Sequence, residues 1–397
     1  MHISARVNAM KFSGTMQIAA KAIELKAQKI NVIDLSVGEP DFPTPQRIKN
    51  AAITAMEKGY TIYTLASGII QLREAAGKWI KEFTGVEYKA NEIIVSNGAK
   101  HSIYNALQTI IEKGEEVIIP APYWVTYPAL VELVDGVPVI INTTRESDFK
   151  ILPEQLKAAI TTKTRAIILC NPSNPTGSVY SKSELEEIGK IVLENDLYVI
   201  SDEIYSRLVY DNFNFTSFPS LSNELRKKTI LIDGVSKAYS MTGWRIGFAA
   251  AEEEIISAMG KLQSHMTSNP SSISQYAALE AISGPQDDVK AMHKIFSERR
   301  EFLFIALNKI DGFKTANAKG AFYLFPEISY FIGKSYDGVI IKNSFDLAMY
   351  LISEAKVVII PGSVFGMEKF IRIAYAASME NLIEGVNRIK VALNKLH

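Results

Sequence analysis

The sequence predicts an α/β protein: a mainly parallel seven-stranded sheet with helices on both faces, plus a smaller α+β domain formed by the N- and C-terminal parts. Three observations point there. Short β-rich runs alternate with helically periodic segments through the middle of the chain. Those runs are almost continuously apolar, as strands covered on both faces are. Towards the C-terminus the pattern changes to long helical stretches separated by short strands.

Taken in order, the runs are Glu92–Ser96, Glu116–Pro120, Val137–Asn142, Ala166–Cys170, Tyr198–Ser201 and Thr229–Asp233, with Arg245–Ala250 as the seventh. Helical periodicity fills His101–Glu112, Pro153–Ile160 and Ser181–Asn195. The last has a capping box, Ser181 three residues before Glu184. Beyond residue 286 come a helix over Val289–Lys309, a strand at Ala321–Phe325 and a helix at Ser344–Ala355. Strands Val357–Ile360 and Phe370–Tyr375 follow, then a helix from Glu380. The expected division is therefore residues 48–285 as a large domain, 286–397 as a small one, and 1–47 folding back to join the small domain.

Composition narrows the function. Lys plus Arg and Asp plus Glu both total 43, so no global basic field attracts nucleic acid or an anionic membrane. Cys170 is the one cysteine, which excludes an intrachain disulfide and reads as a small buried thiol. No apolar run has the length of a membrane span and no signal-type stretch opens the chain, so a cytoplasmic protein is expected. The glycosylation-type triplets at Asn142 and Asn214 are then chance. Neither a G-x-G-x-x-G after a strand nor a phosphate-loop motif occurs, which disfavours a nucleotide-binding dehydrogenase, and no metal site is expected.

Ligands of such sheets bind beyond the carboxyl ends of the strands, and the unusual chemistry of this sequence follows strand ends. Lys237 lies just past a strand in a segment of small and polar residues, Gly234 to Gly247. A lysine there could form an imine with a carbonyl cofactor, if a cationic neighbour such as Arg245 lowers it from its usual ~10.4. Asp202 ends another strand and could hold a protonated pyridine nitrogen, although the same position suits a helix N-cap. Tyr205 and Asn174 could reach the phenolate oxygen of the same ring, and Asn174 equally suits a plain turn. Gly98-Ala99-Lys100 opens a helix and offers free N–H groups to a phosphate, with Arg245 adding a bidentate pair. Trp124 offers a face for stacking, or a core aromatic.

These residues, in this order, resemble a known family. Asn174-Pro-Thr-Gly177, Ser201-Asp-Glu-Ile-Tyr205 and Ser236-Lys-Ala-Tyr-Ser-Met-Thr-Gly-Trp-Arg-Ile-Gly247 are similar to the motifs of class I, fold-type I pyridoxal-phosphate aminotransferases, and most closely of the bacterial aspartate aminotransferase subgroup. The likeness extends from Ser36-Val-Gly-Glu-Pro-Asp-Phe42 to Arg372-Ile-Ala-Tyr375. It implies that Lys237 links covalently to pyridoxal 5'-phosphate and shuttles the proton, with Asp202 on the ring nitrogen and Tyr205 and Asn174 on the phenolate oxygen. Trp124 would stack on the ring, and Ala99, Lys100, Ser236 and Arg245 would hold the phosphate. Tyr63 would reach the phosphate of a neighbouring subunit, making a homodimer with shared sites. Arg372 and Gly38 would hold the substrate α-carboxylate, beside Trp124 and Asn174, and Ser13, Thr15 and Lys100 the distal one.

Two positions depart from the pattern. Gly234 stands where many relatives have a phosphate-binding serine, and Tyr127 where another branch has a histidine behind the aspartate, so that relay is expected to be absent. The implied reaction passes an amino group from an L-amino acid, aspartate or glutamate, to a 2-oxo acid, with 2-oxoglutarate as acceptor. An aromatic or prephenate aminotransferase, or a C–S lyase, is the alternative on the same scaffold. A non-catalytic regulator would need an N-terminal DNA-binding domain, and the Gly38 motif begins too early for one.

Overall fold

The computed structural model describes residues 3–4, 7–8 and 15–397. A first helix, Thr15–Ala27, turns Ile18, Ala22 and Leu25 onto one face, and all three are buried. After it, β1 (Ile33–Asp34) is followed by the helices Gln46–Glu57 and Ile70–Thr84. The second of these ends at Gly85, whose left-handed φ of 76° lets its N–H reach Lys81 O.

The sheet then runs β2 (Ile93–Ser96), β3 (Glu116–Ala121), β4 (Val137–Asn142), β5 (Thr164–Cys170), β6 (Tyr198–Asp202), β7 (Thr229–Gly234) and β8 (Gly247–Ala250). Its spatial order is β2-β8-β7-β6-β5-β3-β4. Only β8 is antiparallel to its neighbours; the other pairings are parallel. The seven-stranded, mainly parallel sheet expected from the sequence is therefore present, with the seventh strand starting at Gly247 instead of Arg245 because Arg245 takes a left-handed φ of 57°.

Apolar clusters cover both faces. Helices Ala99–Ile110, Thr126–Leu133 and Glu253–Met266 bring Ile103, Val131 and Met259 against Ile94, Ile119 and Ile232. On the other face, Pro153–Ala159 and Lys182–Glu194 bring Leu156, Leu185 and Ile188 against Ile118, Ile167 and Val199. The predicted capping box is made: Glu184 N donates to Ser181 Oγ at 3.3 Å, and Ser181 N to Glu184 Oε2 at 2.7 Å. At the β2 end, Trp79 and Phe248 share a cluster with Ala277, Ala278 and Ala281 of helix Ser272–Ser283.

The remainder is built around helix Asp287–Asn308. Strand β9 (Tyr323–Leu324) and hairpin β10–β11 (Ser335–Tyr336 and Val339–Ile340) come next, then helix Ser344–Tyr350, which closes in a π-helical turn, Leu351–Ala355. Strands β12 (Val357–Val358), β13 (Ile360–Pro361) and β14 (Ile371–Ala374) precede the last helix, Met379–Leu393. β1 pairs in parallel with β12, and a three-stranded antiparallel sheet has the order β13-β14-β9. Arg299 adds a bidentate pair to Asp41 at 2.7 and 3.0 Å, fixing the Gly38–Phe42 segment to the long helix. Among the described residues, no helix is long and apolar enough to cross a membrane.

Candidate active site

A cavity of about 360 Å³ opens at the carboxyl ends of the strands, between the large sheet and the β9–β14 region. Every predicted site residue lines it except Tyr63, Ser13 and Thr15. Ser13 lies outside the described residues, as does the side chain of Thr15. Tyr63 is on the outer surface, 87% exposed, beside Ile62 at 77% and Leu65 at 62%.

Lys237 follows β7 in the loop that leads to β8. That loop is tied to the segment after Gly38. Thr44 Oγ1 donates to Ser240 O at 2.6 Å, Thr242 Oγ1 to Glu39 Oε2 at 2.7 Å, and Trp244 Nε1 to Thr44 Oγ1 at 2.9 Å. Lys237 Nζ itself donates to Gly38 O at 2.6 Å. Burial lowers its pKa to about 8; the Glu39 carboxylate opposes this, and the Arg372 charge adds to the lowering. A neutral amine, the form able to attack a carbonyl, is thus accessible near physiological pH.

Asp202 ends β6 and is buried. Tyr127 Oη donates to its Oδ2 at 2.5 Å, and Ile204 N to its Oδ1 at 3.3 Å. Burial pushes the carboxyl pKa up, while the Tyr127 bond, the Ile204 N–H and the Lys237 charge hold it down. Tyr127, which stands where another branch has a histidine, thus donates to the carboxylate directly. The Tyr127 ring meets Trp124 edge-on, with centroids 5.3 Å apart at 85°. Cys170, read from the sequence as a small buried thiol, is half-buried on the cavity wall, because β5 ends there at the open rim. Burial raises its thiol to about 12, which makes it a poor nucleophile.

The rim between β2 and β8 is shaped for close backbone approach. Gly98 has φ 87°, and a Cβ on it would lie 2.4 Å from an Arg245 guanidinium nitrogen. A Cβ on Gly247 would lie 2.2 Å from Ala99 N. The free N–H groups of helix Ala99–Ile110, Lys100 and Arg245 therefore converge there. Lys100 Nζ lies 5.0 Å over the Trp124 ring, and burial together with the Arg245 charge lowers its pKa. Gly234, paired with Gly247 in the ladder, is not at the cavity wall. A side chain there would crowd Gly247 Cα and Ile246 O, both 3.0 Å from the built Cβ, whereas Ser236 does line the cavity.

On the far side, Arg372 is buried on β14. Its Nη1 donates to Asn174 Oδ1 at 2.9 Å and its Nη2 to Ser36 O at 2.6 Å, while its buried Nε has no partner among the described residues. Among the described residues, Lys100, Lys237, Arg245 and Arg372 have no ion-paired carboxylate; the hydrogen bonds recorded for the last three go to backbone carbonyls and Asn174. Arg372 is buried and Lys237 half-buried, where charge without a counter-ion is costly; with the exposed Lys100 and Arg245 on the same wall, the cavity suits a ligand with more than one anionic group. Sequence reasoning missed Tyr323, whose hydroxyl lies 2.9 Å from that of Tyr205, and Phe365, 5.1 Å beneath the Arg372 guanidinium. Both come from the C-terminal part, and no local motif flags them.

Comparison with known proteins agrees with this site. A family model described as aminotransferase class I and II matches residues 30–389. The aspartate aminotransferase of Bacillus sp. (strain YM-2) is 50% identical over 384 residues, 97% of each chain. A probable aspartate/prephenate aminotransferase of Rickettsia typhi is 43% identical over 396 residues, 99% of each. The crystal structure of the aspartate aminotransferase from Rhizobium meliloti matches with a TM-score of 0.97 at 39% identity, covering 100% of both chains. The chain belongs to the aminotransferase class I and II family and is an aminotransferase.

Proposed function

We propose that this protein transfers the amino group of a dicarboxylic L-amino acid, aspartate or glutamate, to a 2-oxo acid, with 2-oxoglutarate as the expected acceptor, using pyridoxal 5'-phosphate held in this cavity. The observation that carries the reading is the set of four cations that have no carboxylate partner among the described residues, with Lys237 among them and Asp202 on the same wall. The residues present fit the cofactor. The glycine-lined rim at Gly98 and Gly247 leaves room for a phosphate against Ala99 N, Lys100 and Arg245, with Ser236 beside them. Asp202 is a buried acceptor for a ring N–H, Tyr205 and Asn174 are donors for a ring oxygen, and Trp124 supplies a stacking face. The unpartnered Nε of Arg372 is a donor for the substrate α-carboxylate, near Gly38.

Bound pyridoxal phosphate supplies an electrophilic carbonyl and an electron sink for the charge left at the substrate α-carbon. The protein's own groups do the rest. Lys237 Nζ would be the covalent anchor, and its free amine would take the α-proton as base and return it as acid. Arg372 orients the substrate through its α-carboxylate. Asp202 keeps its charge through Tyr127 and so favours a protonated ring nitrogen. Lys100, Ser13 and Thr15 select the distal carboxylate, in two ping-pong half-reactions.

The assembly in this reading is a homodimer in which Tyr63 completes the neighbour's phosphate site; its exposure beside Ile62 and Leu65 supports this. Residues 1–47 and 286–397 form the small domain and 48–285 the large one, supported by the β1–β12 pairing and the Asp41–Arg299 bridge. Successive addition of aspartate and 2-oxoglutarate should bleach and then restore the visible cofactor band, and borohydride should fix the cofactor to Lys237. No spectral change, or an adduct on another lysine, would overturn the proposal. A second reading, an aromatic or prephenate substrate, has support from the name of the Rickettsia relative and from the apolar wall of Trp124, Ile103 and Phe365. Half-reaction rates with a panel of amino acids and prephenate separate the two.

A further inference from the structure

Tyr323 is fully buried, lines the cavity, and touches three parts of the site at once. Its hydroxyl lies 2.9 Å from Tyr205 Oη, its one hydrogen-bond partner among the described residues. Its ring is the face over which the Arg372 guanidinium lies, 4.4 Å from the centroid. A Cβ built on Gly38, whose carbonyl accepts from Lys237, would sit 3.3 Å from the Tyr323 hydroxyl.

We propose that Tyr323 is a positioning residue that fixes the direction of the Tyr205 hydroxyl and couples it to capture of an anion by Arg372. The inference rests on the pyridoxal phosphate reading above. One proton occupies the Tyr205–Tyr323 contact. If Tyr205 is to donate to a ligand oxygen in the cavity, the contact proton must come from Tyr323. Tyr323 thereby makes Tyr205 a one-way donor, and polarises it as chained hydrogen bonds do. The guanidinium over the Tyr323 ring favours electron withdrawal from its hydroxyl, which makes it the better donor of the pair. When a carboxylate neutralises Arg372, that pull weakens, so events at the carboxylate clamp are felt at Tyr205.

Tyr323→Phe keeps the ring and removes the hydroxyl; Tyr323→Leu removes both. Two readouts apart from turnover separate these roles: the pH midpoint of the bound cofactor's visible absorbance, and the dissociation constant for succinate, an unreactive dicarboxylate, with folding checked by circular dichroism. Weakening a donor to an ionised oxygen raises that group's pKa; Tyr323→Phe leaves Tyr205 as the donor but removes the bond that polarises it, so the midpoint should move up by roughly half to one unit. Tyr205→Phe should move it further, and the double variant should match Tyr205→Phe alone. Succinate affinity should be nearly unchanged in Tyr323→Phe and fall about five- to tenfold in Tyr323→Leu, the scale of one cation–π contact. An unmoved midpoint in Tyr323→Phe, or additive shifts in the double variant, would overturn the inference while leaving the function intact. A wild-type protein that takes up pyridoxal phosphate with no visible band would overturn both.

Discussion

The replacement Tyr127→Phe removes one oxygen atom and tests the charge state of Asp202. The carboxylate has two hydrogen bonds recorded, one at 2.5 Å from Tyr127 Oη and a longer one at 3.3 Å from Ile204 N. The variant retains only the weaker. A hydrogen bond to a charged group contributes about 1.5–3 kcal/mol, which corresponds to roughly one to two pKa units. The sign is fixed: the ionised form loses its donor, so the carboxyl pKa, already raised by burial, rises further. As pH falls, Asp202 is then neutralised sooner. Phenylalanine preserves the edge-on contact with Trp124, so the fold should survive. The assay is equilibrium titration of the apoprotein with pyridoxal phosphate between about pH 5 and 9. Affinity near pH 8 should change modestly, and the acid-side loss should begin about one to two units higher than in the wild type. Coincident acid limbs in the two proteins would show that Tyr127 does not hold the charge on Asp202.

Other outcomes follow from the same geometry. The rate at which the apoprotein captures pyridoxal phosphate should track the neutral amine of Lys237, rising with pH through about 8 instead of through 10.5, as stopped-flow absorbance would register. Lys100→Ala should slow the aspartate half-reaction about ten- to a hundredfold while changing the phenylalanine reaction much less, with cofactor retention measured in parallel; equal losses would remove Lys100 from side-chain recognition. Mixing Lys237→Ala and Tyr63→Phe chains should give hybrid dimers with one intact site, and activity no greater than that of the parents, with hybrids shown to form, would refute a shared site. Gly247→Ala should lower phosphate affinity sharply, because its Cβ would press on Ala99 N; calorimetric titration with inorganic phosphate would detect it.

How far the sequence could be read depended on range. Asp202, Asn174, Trp124 and Lys237 follow strand ends, so the topological rule for parallel sheets placed them correctly. Helix Lys182–Glu194 announced itself through the Ser181–Glu184 box. Helix Ser272–Ser283 did not, because Ser272, Ser274, Gln275 and three alanines are all buried, which leaves no apolar stripe to read. The strand at Ala321–Phe325 was legible, but only Tyr323–Leu324 pair, since Ala321 takes a left-handed φ of 57°. The role of Tyr323 was invisible for a different reason. Its partners, Gly38, Tyr205 and Arg372, are drawn from three distant parts of the chain, and only packing brings them together. Tyr127 was noticed as a departure, yet its bond to Asp202 spans 75 residues and needed coordinates to be seen.

The reversed direction of β8 has one more consequence. A strand that runs against its neighbours begins where they end, so the chain that leaves β7 returns to the same rim to start β8. Lys237 and Arg245 are two marks on that single stretch, and its ends are pinned to each other where Gly234 pairs with Gly247. The loop therefore acts as a ruler: its contour length sets the spacing between the anchoring amine and the guanidinium. A change in its length between the pinned ends would therefore shift one mark against the other.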